Sequence, residues 1–314
     1  MNSKREIVVG GLGGGGDVIL ALMILKAYNV NLGNIVVVSF NKCRIGKERL
    51  HDIQVDGALV RVPPNYFPSR RIFEDKLYLI EPGLANHTYI VCTRDSFNDV
   101  VKGLEWIIER YNPRFMLHSD IGGDSLIMGY EHRLGSYLTD TIARAVLTII
   151  ARKYGVRSYL AVACVGCEGG GGELDPHELA ANLKYASGKG ALVKTIILPR
   201  DTVKTGYSVL RYADSGMLPM FLAALQDKRE VIIHRAYLYG KYKIEPWYKC
   251  IYILDNPRFC EISPICKNLV GRGSIRVDGK IARPKGISLS GLDPAGTFHE
   301  LCIRYSGGGG FSYP

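Results

Sequence analysis

The sequence predicts an α/β protein of the Rossmann-like, doubly wound kind, with a mainly parallel sheet and helices on both faces. Three observations lead there. A β-branched run, Ile7-Val8-Val9, passes through six glycines in the seven positions Gly10 to Gly16 into an apolar helix. Strand-like and helix-like segments then alternate for most of the chain, the pattern of a parallel sheet with crossover helices. Three loops rich in glycine and carboxylates each follow a strand, which in such a sheet puts them on one rim.

Taken in order, residues 5–10 read as a strand, 17–28 as a helix and 34–40 as a β-branched strand. Between residues 57 and 93 short strands (59–62, 77–80, 89–92) are separated by proline-rich turns. Val100, Val101, Leu104, Ile107 and Ile108 recur at helical spacing, so 97–111 is a helix that Pro113 stops. A strand at 114–118, a long helix at 137–154 and a strand at 157–164 follow. Asp175-Pro176-His177-Glu178 is a helix start with an N-cap, a first-position proline and a capping box. That helix runs to about 186. A strand at 191–198, helices at 202–212 and 218–226, strands at 231–234 and 248–254 and a short helix at 263–269 complete the alternation. Residues 1–270 therefore read as a single Rossmann-like domain. Residues 271–314 read as an irregular, Gly/Pro-rich C-terminal extension.

The glycines of the first loop have a physical use. Bare backbone N–H groups at a helix N-terminus hold anions, and each glycine otherwise costs backbone entropy. Gly11, Gly13, Gly14, Gly15 and Gly16 are thus candidate phosphate- or carboxylate-binding positions. Gly11-x-Gly13-x-x-Gly16 has dinucleotide spacing. The acidic residue that would meet a ribose at the end of the next strand is missing, because no carboxylate occurs between Asp17 and Glu48. This disfavours NAD. Lys42 and Arg44 leave NADP as a minor option. Asp17-Val18 stand where a Walker A loop needs Lys and Ser or Thr, which excludes P-loop chemistry.

Asp17 reads either as the helix N-cap or as a ligand to a metal or hydroxyl. In the second loop Asp120 and Asp124 flank Gly122-Gly123, followed by Glu131 and Asp140. Oxygen donors at that density suit Mg²⁺ or Mn²⁺. His118, two residues before Asp120 on the same strand face, is either an acid/base or a packed strand histidine. The third loop places Glu168 and Glu173 around four glycines. Candidate proton-transfer groups are His118, Glu131 and Glu168, and the candidate metal ligands are Asp120 and Asp124.

These three loops resemble an archaeal family known as domain of unknown function number eleven fifty-two. The likeness lies in Gly13 to Asp17, in Asp120-Ile-Gly-Gly-Asp124 with the following Gly129-x-Glu131, and in the Gly166 to Glu173 loop before a helix. It covers most of residues 5–270 and implies a Rossmann-like fold without catalytic roles. Asp120 to Glu131 also resembles a loop of D-glutamate cyclase-like proteins, which keeps lyase and cyclase chemistry in play.

The chain has 314 residues, a net charge of +10 and a pI near 9.1, which favour an anionic small-molecule ligand. RNA or ribosome binding is the competing reading, though the basic residues are dispersed and no clustered basic tract supports it. Apolar runs fall short of the roughly 20 residues of a membrane helix. No signal-like segment opens the chain, so a cytoplasmic protein is expected. Eight cysteines are scattered; Cys164-x-x-Cys167 lacks the second knuckle of a zinc ribbon and reads as buried structural thiols. A Cys260–Cys266 disulfide is compatible with a hyperthermophile cytosol.

Overall fold

The computed structural model describes residues 6–13, 16–43, 53–66, 73–132, 137–167, 174–213, 215–235, 238–273 and 281–306. Eleven strands occur among them: β1 (Ile7–Gly11), β2 (Ile35–Asn41), β3 (Gln54–Asp56), β4 (Leu59–Arg61), β5 (Thr88–Cys92), β6 (Phe115–Ile121), β7 (Arg157–Ala163), β8 (Leu192–Ile197), β9 (Glu230–Arg235), β10 (Leu238–Lys243) and β11 (Cys250–Asp255). Nine form one sheet in the order β3-β4-β5-β2-β1-β6-β7-β11-β8, and β9 and β10 make a separate hairpin.

The middle five strands, β5-β2-β1-β6-β7, are parallel. Both flanks are antiparallel: β4 on β5 and β3 on β4 at one side, β11 on β7 and β8 on β11 at the other. The chain winds from β1 outward through β2 to β5, then returns to lay β6 on the opposite side of β1. The winding direction therefore reverses between β1 and β6. Ligands of open α/β sheets sit at such a reversal, outside the carboxyl ends of the strands.

Strands buried on both faces read as continuous apolar runs. Val8, Val36, Val38 and Met116 point into a layer built by α2 (Phe97–Tyr111), α3 (Tyr137–Tyr154) and α4 (Pro176–Gly188). Val9, Val37 and Leu117 point into the other, built by α1 (Asp17–Ala27), α5 (Val203–Leu210) and α6 (Met217–Leu225). Helix α1 is buried all round, from Val18 to Leu25, because the sheet lies on one side of it and the α5 and α6 layer on the other. None of the described helices is long and apolar enough to cross a membrane.

Two expectations need correction. Residues 77–80 are not a strand: Glu74–Leu79 form a 3-10 helix. Phe73 and Leu77 are both buried, a helical spacing that the run Leu77-Tyr78-Leu79-Ile80 conceals. The C-terminal extension is not irregular throughout. After α7 (Asn256–Ile262) and α8 (Pro264–Arg272) comes α9 (Pro294–Ser306). It buries Phe298, Leu301 and Cys302 in the same core as the sheet. The Tyr252 hydroxyl donates to the Phe298 carbonyl at 3.0 Å, and a disulfide joins Cys250 of β11 to Cys302. Cys43–Cys92 and Cys260–Cys266 are also bridged. Cys164 and Cys167 are buried and not disulfide-bonded.

Candidate functional site

The turn between β1 and α1 is shaped by close approach. A Cβ on Gly10 would overlap the Val38 carbonyl on β2, one on Gly11 would fall 2.8 Å from the Asp17 Cβ, and one on Gly16 would strike Ser215. The amides were expected to face an anion. Those of Gly11 and Gly13 instead bond within the chain. Gly11 N–H donates to Ser39 Oγ at 3.3 Å, Leu12 N–H to the Ser119 carbonyl at 3.0 Å, and Gly13 N–H to Asp17 Oδ2 at 3.1 Å. Gly16 is the helix N-cap position and has no side-chain cap. Gly14 and Gly15 lie outside the described residues.

Asp17 is the first residue of α1 and not its N-cap. Its carboxylate turns back over the loop, accepting from Gly13 with one oxygen and from Ile121 N–H at 3.1 Å with the other. It thereby ties the first loop to the end of β6. Ser119 adds a second tie, donating to the Asp17 carbonyl at 2.6 Å and accepting from Ala21 N–H at 3.1 Å.

Beyond β6 the backbone bends through Gly122 and Gly123, at φ of 139° and 120°. Asp120 Oδ2 accepts from the Ser125 amide at 3.0 Å and hydroxyl at 2.6 Å. Asp124 opens a single 3-10 turn, Asp124–Leu126. Asp140 comes from the first turn of α3. Asp120, Asp124 and Asp140 are buried, and Asp17 is half-buried beside them. Burial, then repulsion from Asp120 and Asp124, holds the Asp17 carboxyl well above the usual range. Burial, then Asp120, Asp124 and Asp17, does the same to Asp140. Burial also raises Asp120, against the pull of the Ser125 hydrogen bonds. These mutual effects place the four carboxyls in one cluster at the reversal between β1 and β6.

Among the described residues one guanidinium faces them. Arg144, four residues after Asp140 on α3, is fully buried, donates from Nη1 to the carbonyls of Ser125 at 2.7 Å and Ile127 at 3.0 Å, and stacks 4.3 Å from the Phe259 ring. Burial lowers it to about 10, although Asp140, Glu131 and Asp120 pull the other way.

The remaining candidates are elsewhere or otherwise engaged. His118 shares the strand face of Asp120 but is fully buried, and its Nε2 meets the Val38 carbonyl at 3.0 Å across Gly10. A carbonyl only accepts, so Nε2 carries the proton. Burial lowers the ring to about 4, so it is neutral near pH 7. Glu131 accepts from Met128 N–H at 2.8 Å, Gly129 N–H at 2.7 Å and Asn182 Nδ2 at 2.7 Å. Both its oxygens thus clamp the loop that carries it. Glu168 lies outside the described residues, as does Arg44; Lys42 stands just past the end of β2. Among the described residues no group of three His, Cys, Asp or Glu side chains is disposed to hold a metal ion by itself.

Asp140, Arg144 and Ser125 escaped selection as site residues. An aspartate in a first helical turn ordinarily serves the helix dipole. The available signal was Arg144, a charge beside the apolar run Ala145 to Ala151 that demands a buried partner.

Compared with known proteins, the chain matches over residues 8–288 the family described as protein of unknown function DUF1152. No curated protein matches it. Among solved structures it is similar to the antimicrobial reagent A40926 pseudoaglycone deacetylase Dbv21. That likeness has 12% identity and a TM-score of 0.38, over 81% of this chain and 99% of that one. A likeness so slight says nothing about activity.

Proposed function

The chain belongs to the DUF1152 family, and on the ground of its aspartate cluster we propose a divalent-cation-dependent enzyme. Its substrate is a phosphorylated or carboxylated metabolite or a nucleotide. The observation that carries the proposal is the convergence of Asp17, Asp120, Asp124 and Asp140 where the sheet reverses its winding.

Among the described residues four carboxyls stand against one guanidinium, an excess of negative charge in a largely buried place. Burial first, and carboxylate repulsion at Asp17 and Asp140, favour the protonated forms of Asp17, Asp120 and Asp140. A divalent cation would relieve the excess of charge without protons. The donor chemistry fits Mg²⁺ or Mn²⁺: all oxygens, with one or two carboxylates per ion and the remaining positions left to water and substrate oxygens. Asp120 and Asp124 would hold the ion. When bound, it would neutralise substrate charge and orient the reacting oxygen.

The chain's own groups have separate tasks. Asp17, held by two amides, keeps the first loop against β6. Arg144 holds the Ser125 and Ile127 carbonyls and so aims Asp120 and Asp124. Asp140, protonated more readily than an ordinary aspartate, holds and moves a proton at its carboxyl oxygens. Phosphoryl transfer or hydrolysis and lyase or cyclase chemistry both use such an arrangement.

The test is a thermal unfolding series with MgCl₂ and MnCl₂. A ligand that binds only the folded state stabilises it by about 2.7 kcal/mol at 100 times its Kd. The wild-type midpoint should rise with cation concentration, and Asp124→Asn should lose most of the rise while remaining folded. A response that Asp124→Asn and Asp140→Asn leave intact overturns the proposal.

A further inference from the structure

The sequence lacks an acid at the end of β2, where dinucleotide-binding sheets meet a ribose. The fold brings one there from another element. Glu74 opens the 3-10 helix Glu74–Leu79 and is 2% exposed. Its carboxyl lies beside Ser39, on the last turn of strand before β2 ends, and the Ser39 hydroxyl in turn accepts from Gly11 N–H at 3.3 Å. Val9 pairs with Val37, so Gly11 and Ser39 stand side by side at the carboxyl ends of β1 and β2. Glu74 is therefore against the first glycine loop, on the flank of the aspartate cluster away from β6.

Among the described residues neither Glu74 oxygen has a hydrogen-bond partner. Ser39 and the amides of Phe73 and Glu74 itself are near, without hydrogen-bonding geometry. Asp75, next along, has Lys76 Nζ at 2.8 Å, whereas among the described residues no cation pairs with Glu74. A buried carboxyl with both oxygens idle weakens a fold. It holds nothing together, so packing does not account for it. Two idle acceptor oxygens on one carbon match two adjacent hydroxyl donors, and Ser39 supplies a third polar atom at the same wall.

Resting on the proposed cation-dependent function, we propose that Glu74 and Ser39 form a hydroxyl-binding subsite that takes the vicinal diol of a ribose phosphate, with the phosphate directed toward the aspartate cluster. A nucleotide and a free sugar phosphate offer that same chemistry.

Calorimetric titration of the full chain in MgCl₂ with ADP, 2′,3′-dideoxy-ADP and ribose 5-phosphate tests it. Loss of hydrogen bonds to a charged group should make wild type bind ADP at least about 10-fold more tightly than the dideoxy compound. In Glu74→Leu and Glu74→Gln that ratio should collapse toward one while dideoxy-ADP affinity is kept. Ribose 5-phosphate matching ADP, with the same dependence on Glu74, identifies a sugar phosphate as the source of the diol; much weaker binding identifies a nucleotide. A wild type indifferent to the diol, or a ratio unchanged in Glu74→Leu, overturns the subsite. Because Glu74→Leu removes an idle buried charge, it should fold at least as stably as wild type, which separates lost recognition from lost structure. A cation response without any ribose binding overturns the subsite and spares the metal site. Diol-dependent binding without a cation response does the reverse.

Discussion

Lowering the pH should weaken this protein through one histidine, by an amount the structure sets. The His118 ring is buried, bonded by Nε2 to Val38 and depressed from 6.5 to about 4. In the unfolded chain it takes up a proton below pH 6.5; in the folded chain it does so only near 4. A depressed histidine thus stabilises fully above its unfolded value and loses that stabilisation as pH falls toward the folded one. At 1.36 kcal/mol per pKa unit, the interval corresponds to about 3 kcal/mol. The raised aspartates and Glu74, at about 7, act in the opposite direction, since their folded forms bind protons more readily. The difference between wild type and His118→Gln cancels them. Equilibrium urea unfolding of both proteins from pH 7.5 to 4 should show the wild-type advantage shrinking by about 3 kcal/mol, most steeply between 6 and 4.5. A difference flat across the series would mean that the ring is charged or hydrated in the folded protein, and the brace across Gly10 would have to be abandoned.

Other expectations follow from particular contacts. Gly10→Ala drives a methyl into the Val38 carbonyl and should destabilise by about 3 kcal/mol or more, measured by urea unfolding. Breaking Cys250–Cys302, which spans 52 residues, should cost about 4 kcal/mol against about 2 for the six-residue Cys260–Cys266 bridge, by chain entropy. Cys302→Ser and Cys266→Ser unfolded under non-reducing conditions give the comparison. Glu131→Gln replaces an acceptor of two amides and an amide side chain and should cost about 2 kcal/mol. If Glu131 only clamps its loop, the pH profile of any turnover stays unmoved. Asp140→Asn should raise stability at neutral pH without divalent cations, because it removes a carboxyl that resists ionisation; a fall there would show that its charge is already compensated.

What the sequence revealed depended on how local the cause was. Helices 97–111 and 137–154 were legible to the residue, since apolar periodicity and the stops at Pro113 and Gly155 are written within each segment. Asp175-Pro176 announced α4 through the same cap that the structure shows, Asp175 accepting from His177 N–H. The equivalent Asp293-Pro294 start of α9 went unread amid glycines, and its seat against β8 and β11 is a tertiary fact. Strand-end position pointed to Asp17, Asp120 and Asp124 on one rim, and the structure sets Asp120 and Asp124 near enough to repel Asp17. Glu131 looked like a proton carrier because the three donors that saturate it come from its own bent loop and from α4. Glu74 was invisible, since it comes to the end of β2 from a separate 3-10 helix, Glu74–Leu79, whose C-terminal half alone was read, as a strand at 77–80.

The placement of β11 has a consequence for the order of assembly. Strand β8 is made before β11, yet in the sheet it bonds only to β11 and reaches β7 through it. During synthesis the exposed edge of β7 must therefore wait for residues 250–255, and β8 has no final neighbour until they arrive. All four site aspartates have by then long emerged, on elements that pair among themselves. A nascent chain thus carries its aspartate cluster early and its closing strand late, with a bare sheet edge in between that invites wrong partners. Strand β11 acts as a wedge driven in last, and the helix bonded to it through Cys302 is the bolt behind it.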